Sequence, residues 1–194
     1  MAAATEPRRT WQGGHLSQPA PRRIALLGAE STGKTSLAAA LADRLGGVVV
    51  EEYLREFCQV AGRVPGVEEQ AGIAAEQARR ERLATAAAAA RGQEWVVCDT
   101  SPLMIALYSI DCFGDDSLLP GAIDWQRSYA ATLVCMPDID WVADGIQRIG
   151  PETRQRIHHQ LLGLLDAHGI RWKPVAGSGA QRLESALAAL TKFD

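Results

Sequence analysis

The residues best suited to chemistry lie between Gly28 and Thr35. This stretch is G-A-E-S-T-G-K-T and matches the phosphate-binding pattern G-x-x-x-x-G-K-[ST]. Glycine lets the backbone turn where a Cβ would clash, so successive N–H groups can face phosphate oxygens at the positive end of the next helix. Lys34 would supply a cation to the β- and γ-phosphates of ATP, and the Thr35 hydroxyl would ligate Mg²⁺. The residues predicted to bind the nucleotide are Gly28, Glu30, Ser31, Thr32, Gly33, Lys34, Thr35 and Ser36.

The segments on either side of this loop have the structure that the motif requires. Residues 24–27 form a short apolar run that suits a buried strand. Leu37, Leu41 and Leu45 recur every four residues and predict one apolar stripe on a helix, which the glycines at 46–47 would end. Strand, loop and helix in this order favour phosphate binding over a chance glycine-rich turn.

Two acidic residues follow apolar runs that suit strands. Glu52 comes after the valines at 48–50, where its carboxylate could reach a substrate hydroxyl or could simply open a helix. Asp99 ends the run at 95–99, where P-loop proteins keep the acid that holds Mg²⁺ directly or through water. Asp99 could instead cap the next helix. Because Ser101 suits that capping position, the pattern favours Asp99 for the metal.

Further along the chain, a tryptophan and three arginines are candidates for substrate contacts. Trp125 could stack on a flat ring or fill the core. Arg148, Arg154 and Arg156 lie in a segment bounded by glycine and proline after a late apolar run. Such a segment suits a mobile lid that closes over the transferring phosphate. For at least one of the three, an ordinary surface arginine is the alternative.

Composition limits the class of protein. The chain has 194 residues, and we expect a flexible tail at 1–21 followed by one domain at 22–194. The net charge of −3 argues against nucleic acid as the main partner, and no apolar run is long enough to span a membrane. The four cysteines form no C-x-x-C pair, which favours free, mostly buried thiols in a reducing cytoplasm over a zinc site.

Apolar runs alternate with helical patterns along the chain. This alternation predicts an α/β fold with a parallel sheet and helices on both faces. A long alanine-rich helix is predicted at 67–91, and Pro174 indicates that the last strand lies at an edge of the sheet. No N-K-x-D guanine motif follows the lid segment, so a small phosphotransferase fits the chain better than a GTPase.

Several segments together resemble one family. They are the phosphate-binding loop, the run E-Y-L-R-E-F at 52–57, the run C-D-T at 98–100 and the run D-W-V-A-D-G at 140–145. In this order and spacing they are similar to the ribosylnicotinamide kinase domain of NadR-type proteins, which has the P-loop nucleoside and nucleotide kinase fold. The similarity extends over residues 23–190.

The resemblance implies both a fold and an activity. The fold would be a three-layer P-loop NTPase fold with a lid and a five-stranded parallel sheet of order 2-3-1-4-5. The activity would be transfer of the ATP γ-phosphate, with Mg²⁺, to the 5′-hydroxyl of the small molecule nicotinamide riboside. The product would be nicotinamide mononucleotide, an intermediate of NAD salvage.

The resemblance also implies roles for individual residues. Glu52 would be the base or a ribose ligand, and Asp99 would serve Mg²⁺ and the attacking hydroxyl. Gly177 and Ser178 would border the adenine. The catalytic residues would be Lys34, Glu52, Asp99 and Arg148. With Trp125 added from its residue type, the candidate substrate-binding residues are Glu52, Tyr53, Arg55, Asp99 and Trp125, and the metal ligands are Thr35 and Asp99.

The sequence departs from the family pattern in three places. NadR-type proteins usually carry an adenylyltransferase domain ahead of this one, and we expect that second activity to be absent. The family lid tends to have the pattern D-G-x-R, whereas Arg148 comes one position later, and Ser101 stands where a second acid is expected. The alternatives are a kinase for another nucleoside or metabolite, and a protein of the same fold that binds GTP and phosphoinositides.

Overall fold

The computed structural model describes residues 20–141 and 150–193, which form a three-layer α/β fold. The strands are β1 (Arg22–Leu27), β2 (Val48–Val50), β3 (Trp95–Asp99), β4 (Ala131–Cys135) and β5 (Lys173–Val175). The helices are α1 (Lys34–Leu45), α2 (Tyr53–Ala61), α3 (Val67–Ala90), α4 (Pro102–Phe113), α5 (Leu119–Gln126), α6 (Pro151–Ala167) and α7 (Gly179–Leu190). The described strands pair in parallel in the order β2-β3-β1-β4-β5.

The central strand β1 separates two apolar layers. All four residues from Ile24 to Leu27 are fully buried. Ala25 and Leu27 belong to a core cluster formed with α4 and α6, whereas Ile24 and Leu26 belong to a cluster formed with α1 and α7. Successive side chains of a strand point to opposite faces, so a strand covered on both faces is apolar at every position.

The fold expected from the sequence is confirmed, including the strand order 2-3-1-4-5. Helix α3 matches the prediction at 67–91, and β5, which carries Pro174, lies at the sheet edge beside β4. Helix α5 is not in the sequence prediction, because Pro120 and Gly121 are typical of a loop. The proline lies in the first turn of α5, where its missing N–H does no harm, and the helix packs against α4.

Two predicted features lie partly outside the described residues. These are the tail, of which residues 1–19 are not described, and the lid, of which residues 142–149, Arg148 included, are not described. No helix within 20–141 or 150–193 has the length and apolar character needed to cross a membrane. The cysteines are free thiols, and three of them are buried.

Functional residues gather at one edge of the sheet because its strands are parallel. The loop that starts with Gly28 follows β1, Glu52 comes shortly after β2, and Asp99 ends β3. These strands are neighbours in the sheet, so their carboxyl ends open into the same crevice, which is where open α/β sheets bind ligands.

Candidate active site

The loop between β1 and α1 needs glycine at both ends. Gly28 has a φ of +147°, and a Cβ there would lie 2.9 Å from the carbonyl oxygen of Cys135 in β4. Gly33 has a φ of +73°, in the left-handed region, directly before Lys34 begins α1. The glycines therefore allow the loop to lie close to β4 and to turn into the helix.

The polar groups of this loop converge on its own backbone. The Lys34 ammonium donates to the carbonyl oxygen of Ala29 over 2.9 Å, and the Thr32 hydroxyl donates to the same oxygen over 2.8 Å. Gly33, the residue before α1, has no side chain that could cap the helix, and the first backbone N–H groups of a helix lack intrahelical partners, so they suit an anion. This arrangement is the one expected of a phosphate-binding loop.

Asp99 and Thr35 form the polar contact between β3 and the start of α1. The Thr35 hydroxyl donates to Oδ2 of Asp99 over 2.6 Å, and Asp99 is 2% exposed. The other carboxylate oxygen, Oδ1, is buried and has no hydrogen-bond partner in the described part of the chain. Because a buried carboxylate oxygen is costly to leave unpaired, this donor set of hard oxygens fits a cation such as Mg²⁺.

Ser101, rather than Asp99, caps the following helix. Its hydroxyl accepts a hydrogen bond from the Leu103 backbone N–H over 3.2 Å, and Pro102 begins α4. The prediction that Ser101 takes the capping position is confirmed. Thr100, between these two residues, has a φ of +82°, so the chain turns sharply as it leaves β3. Asp99 is thereby free of a capping role.

Glu52 lies at the other side of the crevice, at the start of α2. Its carboxylate forms an ion pair with Arg55, with Nη2 3.6 Å from Oε2, and the Glu52 side chain is 15% exposed. Glu52 occupies the position before α2, but its side chain makes no capping hydrogen bond. Glu52 is one of the residues that line the crevice.

A single cavity of about 640 Å³ joins the phosphate-binding loop to Glu52 and Arg55. One part of its wall is polar and is formed by the loop and the start of α1. The other part is mainly apolar, with a buried glutamine from α3 and two aromatic rings from α4. The residues of that second part are Leu54, Val64, Pro65, Gln70, Met104, Ile105, Tyr108 and Phe113.

Tyr108 is a cavity residue that the sequence analysis did not identify. Burial, followed by the carboxylates of Glu30 and Glu52, raises the pKa of its hydroxyl well above the ordinary value. The same two carboxylates line the cavity, so negative charge lies near the Tyr108 hydroxyl, while Lys34 and Arg55 bring positive charge to the same cavity. The pattern of apolar residues in the sequence cannot identify Tyr108 as a cavity residue. In a helix as apolar as α4, a tyrosine looks like one more residue of the hydrophobic core.

Two predicted substrate contacts do not line the cavity. Tyr53 donates its backbone N–H to Gln77 Oε1 over 2.9 Å, and the Arg80 guanidinium lies 4.4 Å from its ring. The start of α2 thus directs the Tyr53 ring toward α3. The prediction that Tyr53 lines the nucleoside pocket does not agree with this position.

Trp125 lies at the opposite edge of the sheet. Its indole N–H donates to Glu81 over 2.9 Å, and the Arg23 guanidinium lies 4.6 Å from its ring. Helix α5 ends just before β4 starts, and Arg23 is near the start of β1, so both residues are at the amino ends of the strands. The prediction that Trp125 stacks on a substrate is therefore corrected: the ring belongs to a structural network.

The loop after β5 contacts the phosphate-binding loop through Arg182. The Gly177 N–H donates to the Asp138 carboxylate over 2.6 Å, and Asp138 is paired with Arg182. Arg182 is 3% exposed and donates to the Thr32 carbonyl oxygen over 2.6 Å. Gly177 and Ser178 are thus beside the nucleotide loop but outside the large cavity, and Arg182, which the sequence analysis missed, holds the two loops together.

The two described lid arginines have different environments. Arg154 donates to the backbone carbonyl oxygens of Ser31 over 3.3 Å and Ile139 over 3.0 Å, so it reaches the phosphate-binding loop. Arg156 forms an ion pair with Asp111 at 2.9 Å and is half exposed. Arg156 is therefore the ordinary surface arginine that the sequence allowed for, and Arg148 lies outside the described residues.

A glycine-bounded phosphate loop, a Thr–Asp pair and a crevice at the carboxyl edge of a parallel sheet define a P-loop nucleotide-binding protein. The family model described as "AAA domain" matches residues 23–182. The chain belongs to this family of P-loop domains.

Solved structures with the same fold include P-loop kinases. NadR protein in complex with NR has a TM-score of 0.75 and 20% identity, over 90% of this chain and 52% of that chain. NadR protein in complex with NAD and AMP-PNP has a TM-score of 0.71 and 20% identity, over 90% and 49%. Thymidylate kinase from Ehrlichia chaffeensis has a TM-score of 0.60 and 17% identity, over 91% and 100%.

These likenesses establish the fold. The chain spans about half the length of the two NadR chains. Comparison with curated proteins finds no matching sequence.

Proposed function

We propose that this chain transfers the γ-phosphoryl group of ATP to the 5′-hydroxyl of nicotinamide riboside, giving nicotinamide mononucleotide and ADP. The observation that carries the proposal is the single cavity that extends from the phosphate-binding loop to Glu52 and the apolar wall. Such a cavity can hold a triphosphate and a nucleoside end to end, which direct phosphoryl transfer requires. The likeness to NadR in complex with NR supports this choice of acceptor.

The phosphate-binding loop would hold the ATP phosphates through its backbone N–H groups. Lys34, which now donates to the Ala29 carbonyl oxygen, would turn toward the β- and γ-phosphates. Its charge would offset the negative charge on the phosphoryl oxygens during transfer. Arg154, in contact with Ser31 of the same loop, is the described lid arginine best placed to add a second cation.

Thr35 and the unpaired oxygen of Asp99 would hold Mg²⁺. When bound there, a magnesium ion would neutralise part of the negative charge of the ATP phosphates. Glu52 would accept the proton of the 5′-hydroxyl while the hydroxyl oxygen forms its bond to the γ-phosphorus. The bond from that phosphorus to the bridging oxygen breaks, and ADP leaves with the electron pair.

The acceptor end of the cavity suits a flat, positively charged ring. Nicotinamide riboside carries a pyridinium ring, and Tyr108, Glu30 and Glu52 together favour a cation in their vicinity. Leu54, Met104 and other apolar side chains of the wall would exclude water from the faces of the ring. Charge and shape therefore both favour this acceptor over an anionic sugar acid.

The direct test is ADP release in the presence of Mg²⁺ and ATP with a panel of acceptors. We expect nicotinamide riboside to stimulate release and thymidine, shikimate and gluconate to leave it near the background. If nicotinamide riboside is inert and another acceptor is active, the chain is a different kinase. If calorimetry shows no binding of Mg²⁺–ATP to the folded protein, the proposal fails at its first step.

Lys34→Ala should lower kcat by at least about 100-fold, the effect typical of losing one preorganised electrostatic contact to the transition state. Lys192→Ala is the matched control, because Lys192 is exposed beyond the end of α7. Thermal unfolding should be unchanged in both variants. Equal turnover in Lys34→Ala and wild type would remove the loop lysine from the mechanism.

A further inference from the structure

The buried face of α3 carries three polar side chains, Gln70, Gln77 and Glu81. They are 4%, 0% and 0% exposed, and their spacing of seven and four residues puts them on one side of the helix. Buried amides and acids are expected to have hydrogen-bond partners. The three residues can therefore be compared by the partners that they have.

Gln77 and Glu81 are satisfied within the protein. Gln77 accepts the backbone N–H of Tyr53 over 2.9 Å, and Glu81 accepts from the Tyr129 hydroxyl over 2.6 Å and from Trp125 over 2.9 Å. These contacts tie α3 to α2 and to the amino edge of the sheet. They explain both residues as parts of the structure.

Gln70 is different, because its carboxamide has no hydrogen bond to any residue of the described ranges although the side chain is 96% buried. Gln70 lines the cavity, as do Leu54 and Ile105. Those two residues belong to an apolar cluster with Cys58 and with Ile73, which follows Gln70 by three residues on α3 and so shares its face of the helix. Within the described residues Gln70 has no hydrogen-bond partner, and a molecule bound in the cavity can supply one.

We propose that Gln70 determines the specificity for the acceptor base, by pairing its carboxamide with the carboxamide on the pyridine ring of nicotinamide riboside. This proposal rests on the proposed function. A glutamine amide both donates and accepts, so two amides can exchange one N–H···O bond in each direction. A ring that carries a carboxylate can only accept, so one of the two bonds is lost and the Gln70 oxygen faces a negative charge.

The test compares two ribosides that differ only in this group, nicotinamide riboside and nicotinic acid riboside. Calorimetry of the wild-type protein should give a Kd at least about tenfold lower for the amide, since a buried hydrogen-bonding group left unpaired costs about that factor or more. Gln70→Met keeps the length of the side chain and removes its polar atoms. In this variant the preference should fall to less than about threefold, mainly through weaker binding of the amide.

Gln77→Met is the matched control, two turns further along the same buried face. It leaves the Tyr53 N–H without its acceptor, so the variant should unfold at a lower temperature while the ratio of the two affinities stays as in the wild type. Gln70→Met should show the opposite pattern, with unfolding at the wild-type temperature or above it.

The outcomes separate this proposal from the proposed function. Turnover of nicotinamide riboside with an unchanged preference in Gln70→Met would overturn the role of Gln70 and leave the kinase activity intact. No wild-type preference for the amide, with both ribosides turned over, would do the same. Failure of the wild-type protein to bind nicotinamide riboside would overturn both proposals together.

Discussion

The two edges of the sheet each bury a carboxylate, and the partners of the two groups differ. Glu81 at the amino edge is fully buried and receives hydrogen bonds from Arg23 over 3.1 Å, Tyr129 over 2.6 Å and Trp125 over 2.9 Å. Asp99 at the carboxyl edge is 2% exposed and receives one hydrogen bond, from Thr35, while its second oxygen has no partner among residues 20–141 and 150–193. A buried acid surrounded by donors stabilises the fold. A buried carboxylate with one oxygen that lacks a hydrogen-bond partner can still bind a ligand.

The largest expected effect is a loss of stability when the Glu81 carboxylate, which accepts several buried hydrogen bonds, is removed. Glu81→Ala leaves the Arg23 charge and the Tyr129 and Trp125 donors without an acceptor, and removing one partner of a buried pair costs about 3–5 kcal/mol. We expect the free energy of unfolding, measured in urea, to fall by that amount. Mg²⁺–ATP affinity of the protein that remains folded should be unchanged, because Glu81 is at the edge away from the loop.

A Glu81→Ala variant as stable as wild type would show that the Glu81 network does not stabilise the fold. A loss of stability accompanied by an equal loss of nucleotide binding would show that Glu81 also supports the nucleotide site. Asp124→Ala is the control, because Asp124 pairs with Arg127 at an exposed site on the same side of the molecule, where an ion pair contributes less than about 1 kcal/mol.

A change at the unsatisfied acid should affect ligand binding and leave stability unchanged. Asp99→Asn keeps the shape of the side chain and one acceptor oxygen for Thr35. The substitution should lower the affinity for a divalent cation by about 10–100-fold, as is typical when a residue that supports a metal site is changed. Calorimetry with ATP should therefore show a smaller difference between Mg²⁺ and EDTA than in the wild type. The thermal midpoint should stay within a few degrees of the wild-type value. If ATP binding by Asp99→Asn depended on Mg²⁺ as strongly as in the wild type, Asp99 would not be a ligand of the metal.

The smallest expected effect is a change of stability with pH, through the Glu81 carboxyl. Burial raises the pKa of the Glu81 carboxyl above its ordinary value of 4.5, and the hydrogen bonds from Tyr129 and Trp125 and the charge of Arg23 oppose the shift. A raised pKa in the folded state means that this group stabilises the fold most below pH 4.5 and that the contribution is lost as pH rises through the folded-state pKa.

Glu81→Gln cannot titrate and so removes this dependence. The difference in unfolding free energy, wild type minus Glu81→Gln, should decline as pH rises from 4.5, measured by urea unfolding at a series of pH values. A difference that increases with pH would mean that Arg23 and the hydrogen bonds outweigh burial. The network would then hold an ionised carboxylate at lower cost than its burial suggests.

The sequence alone determined the backbone architecture and the phosphate-binding half of the site. Fixed spacing from Gly28 to Thr35, the alternation of apolar runs with helical stripes, and Ser101 as a cap are all local patterns, set by φ/ψ preferences and burial periodicity. The carboxyl ends of parallel strands meet at one edge, so the sequence also placed Glu52 and Asp99 near the loop. The strand order and the proposed acceptor came from the resemblance to NadR-type proteins.

Tertiary structure alone decided which polar residues line the cavity and which form hydrogen bonds within the protein. Arg182 reaches the Thr32 carbonyl oxygen across 150 residues of sequence. Gln70 and Gln77 lie on the same helix face, but Gln70 lines the cavity, whereas Gln77 accepts a hydrogen bond from Tyr53. Trp125 is equally suited by type to stack on a ligand or to support a network, and its position before β4 settled the matter. Residue type gives a side chain its chemistry, but its partner comes from distant segments that only packing brings together.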